Sequence, residues 1–317
     1  MISASDYTEF ITEEYLRGFV AEGGASVKFV VPADGDEALT FGNGLEQAAR
    51  QAGYEVLVVR AEEVRIHLMD QLFFDIARQI DWEQLARHAL RGAYDAAAYP
   101  VAGDGEISVA AVAERFGVDA AELTRDVNRQ LQSRIYLDYR MVPEFRTAML
   151  RLCQALLGTG QVTEAESAAV LDWLRGDLRQ MSLLRSAMIF RRIGRHNARQ
   201  LLFSLVHWLR SNGRTGLLLC LDVRRLGFAR RPAPEERHGI YYTKAALLDG
   251  YELLRQLVDN TDELHHCLVV VLAAPEFLTD SLRGVDAYQA LKLRIADEVR
   301  DRRRDNPFAS LVRLGAA

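Results

Sequence analysis

Four short runs of apolar residues constrain the fold of this chain more than any other feature of its sequence. The runs are VKFVV at residues 27–31, YEVLVVRA at 54–61, GLLLCLD at 216–222 and CLVVVLAA at 267–274. Strands with one face in water alternate apolar and polar residues, whereas strands buried on both faces are apolar throughout. Segments with helical spacing lie between the runs, so we expect an α/β fold whose parallel sheet is covered by helices.

The composition excludes several classes of protein. Of 317 residues, 49% are hydrophobic, and no apolar run approaches the roughly 20 residues that span a bilayer. The start, MISASDYTEF, lacks the basic and apolar regions of a secretion signal, so we expect a cytoplasmic protein with no membrane partner. Three widely separated cysteines favour neither a disulfide framework nor a zinc site. A net charge of -5 argues against a general attraction to nucleic acid, although a local basic surface is compatible with it.

The apolar spacing divides the chain into an α/β part and a helical part. Residues 1–80 and 194–317 contain all four runs, and residues 81–193 are predicted to be a mostly helical insertion. Within the insertion, residues 107–131 have the spacing of a helix-turn-helix unit, with Gly117 in the turn and small Ala113 in the first helix. The second helix of such a unit can enter the major groove of DNA.

The segment FVVPADGDEALTFGNG, residues 29–44, lies where a nucleotide-binding protein has its phosphate loop, between the first strand and a helix. Such a loop has the pattern G-x-x-x-x-G-K-[ST], in which the lysine pairs with the outer phosphates and the hydroxyl holds magnesium. A later strand of nucleotide hydrolases ends in an acidic residue near the magnesium, as GLLLCLD does at Asp222. Many parallel strands end in Asp, however, so a capping role for Asp222 is an alternative.

The last third of the chain has a more specific sequence pattern than a single strand that ends in Asp. GLLLCLD, AALLDGYELLRQLVDN, LVVVLAAPEFLTD, GVDAYQALKLRI and a final LVRL have an order and spacing that resemble the ATP-binding protein family of BREX phage-defence systems. The resemblance covers residues 194–317 well and residues 12–80 more loosely. It implies a P-loop ATPase fold, related to oligomeric motor and switch ATPases, in a bacterial defence operon that encodes several proteins.

The loop departs from the family pattern. Set against G-x-G-K-T, it has Glu37 in place of the lysine and Ala38 in place of the magnesium-binding threonine. The nearest lysine, Lys28, is expected to precede the core of the first strand. We therefore predict a degenerate loop that binds no cofactor and no metal, consisting of Asp34, Gly35, Asp36, Glu37 and Ala38.

Two strand ends depart from the family as well. Val223 replaces the catalytic glutamate that follows the acidic residue, and Ala274 replaces a polar threonine, so that Asp222 is left as a vestige. A fold that is kept while its chemistry is lost predicts a pseudo-ATPase with no catalytic residue. We expect it to be a scaffold or regulator that binds a protein of its own operon, such as an active ATPase, helicase or nuclease.

The alternative is a DNA-binding adaptor that uses the helix-turn-helix-like unit. Its second helix has Arg125, Arg129 and Arg134, but Glu122 and Asp126 interrupt any basic stripe. This helix is less basic than a typical recognition helix, so its charge pattern predicts at most weak DNA binding.

Other arginine clusters are candidates for contacts with a partner or a nucleic acid. Arg192, Arg195 and Arg199 are spaced to share one helical face, and RRLGFARR at residues 224–231 follows Asp222 directly. We interpret each of them, like DRRRD at 301–305, as a solvated and ion-paired surface. Two histidines at residues 265–266 have no third ligand at metal spacing. We interpret them as part of an exposed turn.

Overall fold

Two compact units make up the protein, for which the computed structural model describes residues 2–103, 105–228, 238–296 and 306–315. One unit consists of Met1–Ile76 and Arg214–Ala317, and the other of Ala77–Gly213. The divisions therefore lie at 76/77 and 213/214, compared with 80/81 and 193/194 in the sequence analysis. The main difference is the helix Ala198–Ser211, which belongs to the second unit.

A five-stranded parallel sheet organises the first unit. Its strands lie in the order β2-β3-β4-β1-β5, and the four apolar runs correspond to the first four strands in the chain. This confirms the predicted α/β fold with a parallel sheet of P-loop ATPase type. The strands are β1 (Ala25–Pro32), β2 (Glu55–Arg60), β3 (Leu217–Asp222), β4 (Cys267–Leu272) and β5 (Leu311–Leu314).

Helices occupy most of the remaining described chain. In the first unit a π-helix, Ile11–Phe19, directly continues the first α-helix. The α-helices are α1 (Ala4–Phe10), α2 (Gly35–Gln51), α3 (Met69–Gln79), α4 (Trp82–Ala96), α5 (Val109–Phe116), α6 (Ala120–Leu131), α7 (Pro143–Leu156), α8 (Glu164–Arg175), α9 (Ala198–Ser211), α10 (Lys244–Asp259), α11 (Glu276–Thr279) and α12 (Gln289–Ile295). Among the described residues, no helix is long and apolar enough to cross a membrane.

The sheet is buried on both faces, which explains why its strands are apolar throughout. Alternate strand residues such as Val30 and Val270 pack in one cluster with Leu45 of α2 and Tyr7 of α1. On the other face Phe29 stacks on the ring of Phe277 in α11, with 6.0 Å between the ring centres. All six residues of β4 are buried, and β1 and β3 flank it in the sheet.

Within the second unit, α5 and α6 are joined by the short turn that their sequence spacing predicts. Gly117 ends α5 in the left-handed region, with φ of 63°, where a residue with a Cβ atom would be strained. Asp119 then caps α6 by accepting the backbone N–H of Glu122. The two helices are thus locally well specified, while a role in binding DNA stays a prediction.

Lys28 lies in the middle of β1, where it pairs with Val270, and not before the strand core as its sequence position suggests. Its side chain is only 2% exposed, and Nζ donates hydrogen bonds to the carbonyl oxygens of Phe308, at 2.7 Å, and Ala309, at 3.1 Å. The amine also lies 4.4 Å from the ring centre of Tyr15. Burial lowers the pKa of Lys28 to about 8, because the charged form loses its hydration.

The depressed pKa of Lys28 predicts a pH-dependent contribution to stability. Between the folded pKa of about 8 and the unfolded value of 10.5, the unfolded chain binds more protons, so this residue's contribution to the free energy of unfolding rises with pH. The Lys28→Met variant lacks this term. We expect the free energy of unfolding of this variant, relative to that of the natural chain, to fall by about 2 kcal/mol between pH 8 and pH 10.

Urea denaturation of both proteins across this pH range measures the difference. Buried cysteine thiols, whose pKa values are raised by burial, affect both proteins equally and cancel. The exposed Lys244→Met variant is the matched control and should follow the natural chain at every pH. An unchanged difference between Lys28→Met and the natural chain would show that Lys28 titrates normally.

Candidate functional site at the carboxyl edge of the sheet

The connection between β1 and α2 is short. β1 ends at Pro32 and α2 begins at Gly35, so that Ala33 and Asp34 alone separate them. The Asp34 carboxylate accepts the backbone N–H of Glu37 at 2.9 Å and caps the helix. A helix N-terminus attracts anions through its free N–H groups and its dipole. Here the chain supplies that anion itself.

Glu37 has a structural contact of its own. One oxygen of its carboxylate, Oε2, accepts the backbone N–H of Ala4 at 3.1 Å, which joins the first turn of α2 to the first turn of α1. Ala38, the next residue, is buried, whereas Gly35 and Asp36 are exposed. Of the five residues predicted to form a degenerate loop, Asp34 therefore caps α2 and the other four form its first turn.

Asp222, at the end of β3, is paired with an arginine two residues later. Arg224 Nη2 donates to Asp222 Oδ2 at 2.6 Å and Arg224 Nε donates to Asp222 Oδ1 at 3.0 Å, while the Arg224 backbone N–H also reaches Oδ1 at 3.1 Å. The hydrogen bonds that Arg224 donates to Asp222 raise the pKa of the Arg224 guanidinium. A guanidinium thus lies on the carboxylate oxygens that a metal ion would need.

A second ion pair lies beside the first one. Arg225 Nη1 contacts Glu62 Oε2 at 2.6 Å, and Arg225 Nη2 donates to the Tyr241 hydroxyl at 3.1 Å. These side chains border a cleft of about 470 Å³, whose lining residues are Glu62, Asp222, Arg224, Arg225 and Phe228. Each carboxylate in the cleft therefore has its own guanidinium within the same chain.

The ends of β3 and β4 enclose a small, mainly apolar space. Val223 and Ala274 line it together with Tyr251 and Phe277, and its volume is about 150 Å³. At about 30 Å³ for each water molecule, this space is of the order of five waters. Val223 itself is only 4% exposed, and its side chain has no group that could orient water.

The motifs that carry the family resemblance contact one another. Tyr251 packs edge-on against the ring of Phe277 in AAPEF, and its hydroxyl donates to the carbonyl oxygen of Arg283 at 2.6 Å. The next residue, Gly284, must be glycine, because a Cβ there would lie 2.4 Å from the carbonyl oxygen of Asp280. The distinctive residues of this region thus hold α10 and α11 in place.

The YELLRQLVD and YQAL motifs meet through a carboxylate. The Tyr288 hydroxyl donates to Glu252 Oε2 at 2.6 Å, and Arg255 Nη2 donates to Glu252 Oε1 at 2.7 Å. These contacts, with Arg255 first, lower the pKa of Glu252 to about 2. They connect α10 to the start of α12, so the motif residues here serve the packing of the fold.

The arginines of the helical unit are dispersed. Arg125 is exposed on α6, Arg129 is paired with Asp126 at 3.2 Å, and Arg134 lies next to Gly92 of α4. The second trio lies at the start of α9. Arg192 and Arg195 precede this helix and are exposed, whereas Arg199 is in its first turn and is half-buried. The structure therefore brings neither trio together around a pocket.

The remaining charged clusters lie only partly within the described residues. Arg224 and Arg225 are in the ion pairs given above, whereas residues 229–231 of RRLGFARR and the whole of 301–305 lie outside the described residues. His265 lies 3.4 Å from a backbone carbonyl oxygen, that of Gly23. In the described part of the chain, no group of three or more His, Cys, Asp or Glu side chains is arranged to hold a metal ion.

Comparison with known proteins gives one match. The family model described as BREX system ATP-binding protein BrxC/D matches residues 18–316. No curated protein and no solved structure matches the chain significantly. Because the family model covers nearly the whole chain, this protein belongs to the BREX system ATP-binding protein BrxC/D family.

Proposed function

We propose that this protein is a subunit of a bacterial phage-defence complex that does not hydrolyse ATP and acts as a scaffold or regulator. The observation that carries the proposal is the connection between β1 and α2, where Asp34 caps the helix that would otherwise receive a phosphate. Family membership supports the defence context.

The residues at the carboxyl edge of the sheet do not fit the group that the family name implies. A magnesium-bound triphosphate needs donors and cations, yet the first turn of α2 has Asp34, Asp36 and Glu37 and no lysine. Charge-assisted hydrogen bonds contribute about 1.5 to 3 kcal/mol each, so losing two of them weakens binding more than about a hundredfold. The three carboxylates add repulsion between like charges.

The second half of the site supports the same proposal. Arg224 holds both oxygens of Asp222, so a magnesium ion would have to displace a bidentate guanidinium. Val223 cannot orient an attacking water, and Ala38 offers no hydroxyl to a metal. Three separate requirements of phosphoryl transfer are therefore missing at once.

The first expected outcome is that the protein neither hydrolyses ATP nor binds it usefully at millimolar magnesium. Isothermal titration with ATP and magnesium, together with a phosphate-release assay, measures both properties. A dissociation constant near micromolar, or phosphate release that the Asp222→Ala variant abolishes, would contradict the proposal.

Restoring the lysine alone should not restore the activity. Glu37→Lys leaves the hydroxyl and the water-orienting group absent, and it removes the hydrogen bond to Ala4, which costs about 1 kcal/mol of stability. The matched control is Asp36→Lys, an exposed position with the same change of charge. Thermal denaturation should show a lower midpoint for the Glu37 variant than for the control.

A scaffold must bind a partner. The core of the first unit is intact, so its surface can be recognised even though its nucleotide chemistry is absent. When the chain is co-expressed with the other proteins of its operon, we expect it to co-elute with at least one of them, such as an active ATPase, helicase or nuclease, in size-exclusion chromatography after pull-down. Monomeric elution beside every one of these proteins would remove the scaffold role.

A DNA-binding adaptor is the second candidate, because α5 and α6 are joined by the tight turn at Gly117 and Arg125 is exposed on α6. Contacts by Arg125, Arg129 and Arg134 with about three phosphates predict a slope of log affinity against log salt of only about -3 for duplex DNA. Mobility shift at two salt concentrations tests this. Replacing all three arginines by alanine should abolish the shift, and tight binding that survives this change would exclude α6 as the contact.

A further inference from the structure

One stretch of the chain, most of which belongs to the second unit, has an unusual charge pattern. Residues 178–221 contain eight arginines and no Asp or Glu, in a chain with 44 acidic residues out of 317. The part that precedes α9, residues 178–197, is here termed the arginine segment. Apart from the single 3-10 turn Met181–Leu184, it has little regular structure, and five of the eight arginines lie in it.

The arginine segment is firmly anchored, despite its irregular backbone. Leu184, Ala187 and Ile189 are fully buried, and the Trp173 indole N–H donates to the carbonyl oxygen of Arg191 at 2.9 Å. Asn197 accepts the N–H of Gly194 at 2.8 Å. The side chains between these anchors are therefore presented from a fixed backbone.

Three of the five cations of the arginine segment have no neutralising partner among the described residues, whereas Arg191 is paired with Glu144 at 3.5 Å. Arg179, Arg185 and Arg195 are exposed, and none of their guanidinium groups has a hydrogen-bond or ion-pair partner among the described residues. Surface arginines elsewhere are commonly paired, as Arg17 is with Glu13 and Arg78 with Asp177. The unpaired set predicts an anionic partner.

Large apolar side chains are exposed between these arginines. Phe190 is 65% exposed, Met188 62% and Leu183 56%. Large apolar side chains exposed at three positions within eight residues are typical of an interaction site.

We propose that this surface binds single-stranded nucleic acid, with the unpaired arginines on the phosphates and the exposed Phe190 ring against a base. A strand alternates phosphates with apolar base faces, which matches arginines interspersed with Leu183, Met188 and Phe190. A duplex keeps its base faces stacked inside, so the Phe190 ring would have no partner there. An acidic protein would satisfy the arginines but gives no reason for apolar side chains to alternate with them.

The proposal goes beyond the function proposed above and does not depend on it. Loss of ATP hydrolysis concerns the first unit, whereas the arginine segment belongs to the second. Either one can fail without the other.

Fluorescence anisotropy with the full chain tests the proposal. The probes are a labelled 20-nucleotide oligothymidine, the matching oligouridine, and a 20-base-pair duplex. We expect both single strands to bind more tightly than the duplex, with a slope of log affinity against log salt of about -2 for three phosphates. The comparison of the two single strands distinguishes DNA from RNA as the source.

Two variants separate the two kinds of contact. Arg185→Ala with Arg195→Ala should make the slope shallower by about 1.4, since two phosphates are lost. Phe190→Ala should weaken binding about tenfold and leave the slope unchanged, because base stacking is insensitive to salt. The matched controls are Arg17→Ala with Arg50→Ala, which remove the same charge from the first unit, and Leu293→Ala, which shortens an equally exposed apolar side chain on α12.

Circular dichroism of each variant confirms that it is folded before binding is compared. Absence of binding at 50 mM salt, duplex binding as tight as single-strand binding, or equal losses in variants and controls would each overturn the proposal. The double variant at Arg185 and Arg195 could also lose binding to an acidic protein of the operon while it still binds the oligonucleotides. This result would overturn the proposal and identify that protein as the occupant.

Discussion

The structure of the first unit depends on the parallel pairing of β4 with β1 on one side and β3 on the other. Every residue of β4 is buried, and the parallel arrangement brings the carboxyl ends of all the strands to one edge. In parallel sheets that edge is where ligands bind, because helix N-termini and loops converge there. The residues that follow β1, β3 and β4 are therefore the ones whose chemistry decides what this fold can do.

At that edge the chain neutralises its polar groups internally. Asp34 satisfies the start of α2, Glu37 holds α1, Arg224 covers Asp222, and Arg225 covers Glu62. Ion pairs formed within one chain need no ligand to balance their charge, whereas an active nucleotide site leaves cations unpaired until phosphate arrives. By the same criterion, the unpaired arginines of the second unit are better placed to meet an anion than any group at the sheet edge.

Much of the fold could be predicted from the sequence, because uniformly apolar strands and glycine-marked turns leave local signals. The parallel sheet and the turn at Gly117 are examples. Contacts between distant residues leave no such signal: Lys28 is held by carbonyl oxygens about 280 positions away, and β5 is too short to be recognised by its own pattern. The pairing of Asp222 with Arg224 can be predicted from the sequence, since an arginine two residues after a strand-end Asp can turn back and contact its carboxylate. The anionic preference of the arginine segment shows only when the absence of Asp and Glu is counted over many residues.

The position of β5 has a consequence for how the protein is made. β1 is complete within the first few dozen residues, yet its outer edge stays without a partner until β5 leaves the ribosome, and the Phe308 carbonyl that holds Lys28 arrives at the same moment. Residues 77–213 form a compact unit from one continuous stretch of chain, so this unit can fold before the sheet is complete. Until β5 is synthesised, the edge of β1 is therefore unpaired, and an unpaired apolar strand edge is prone to pairing with a strand of another chain.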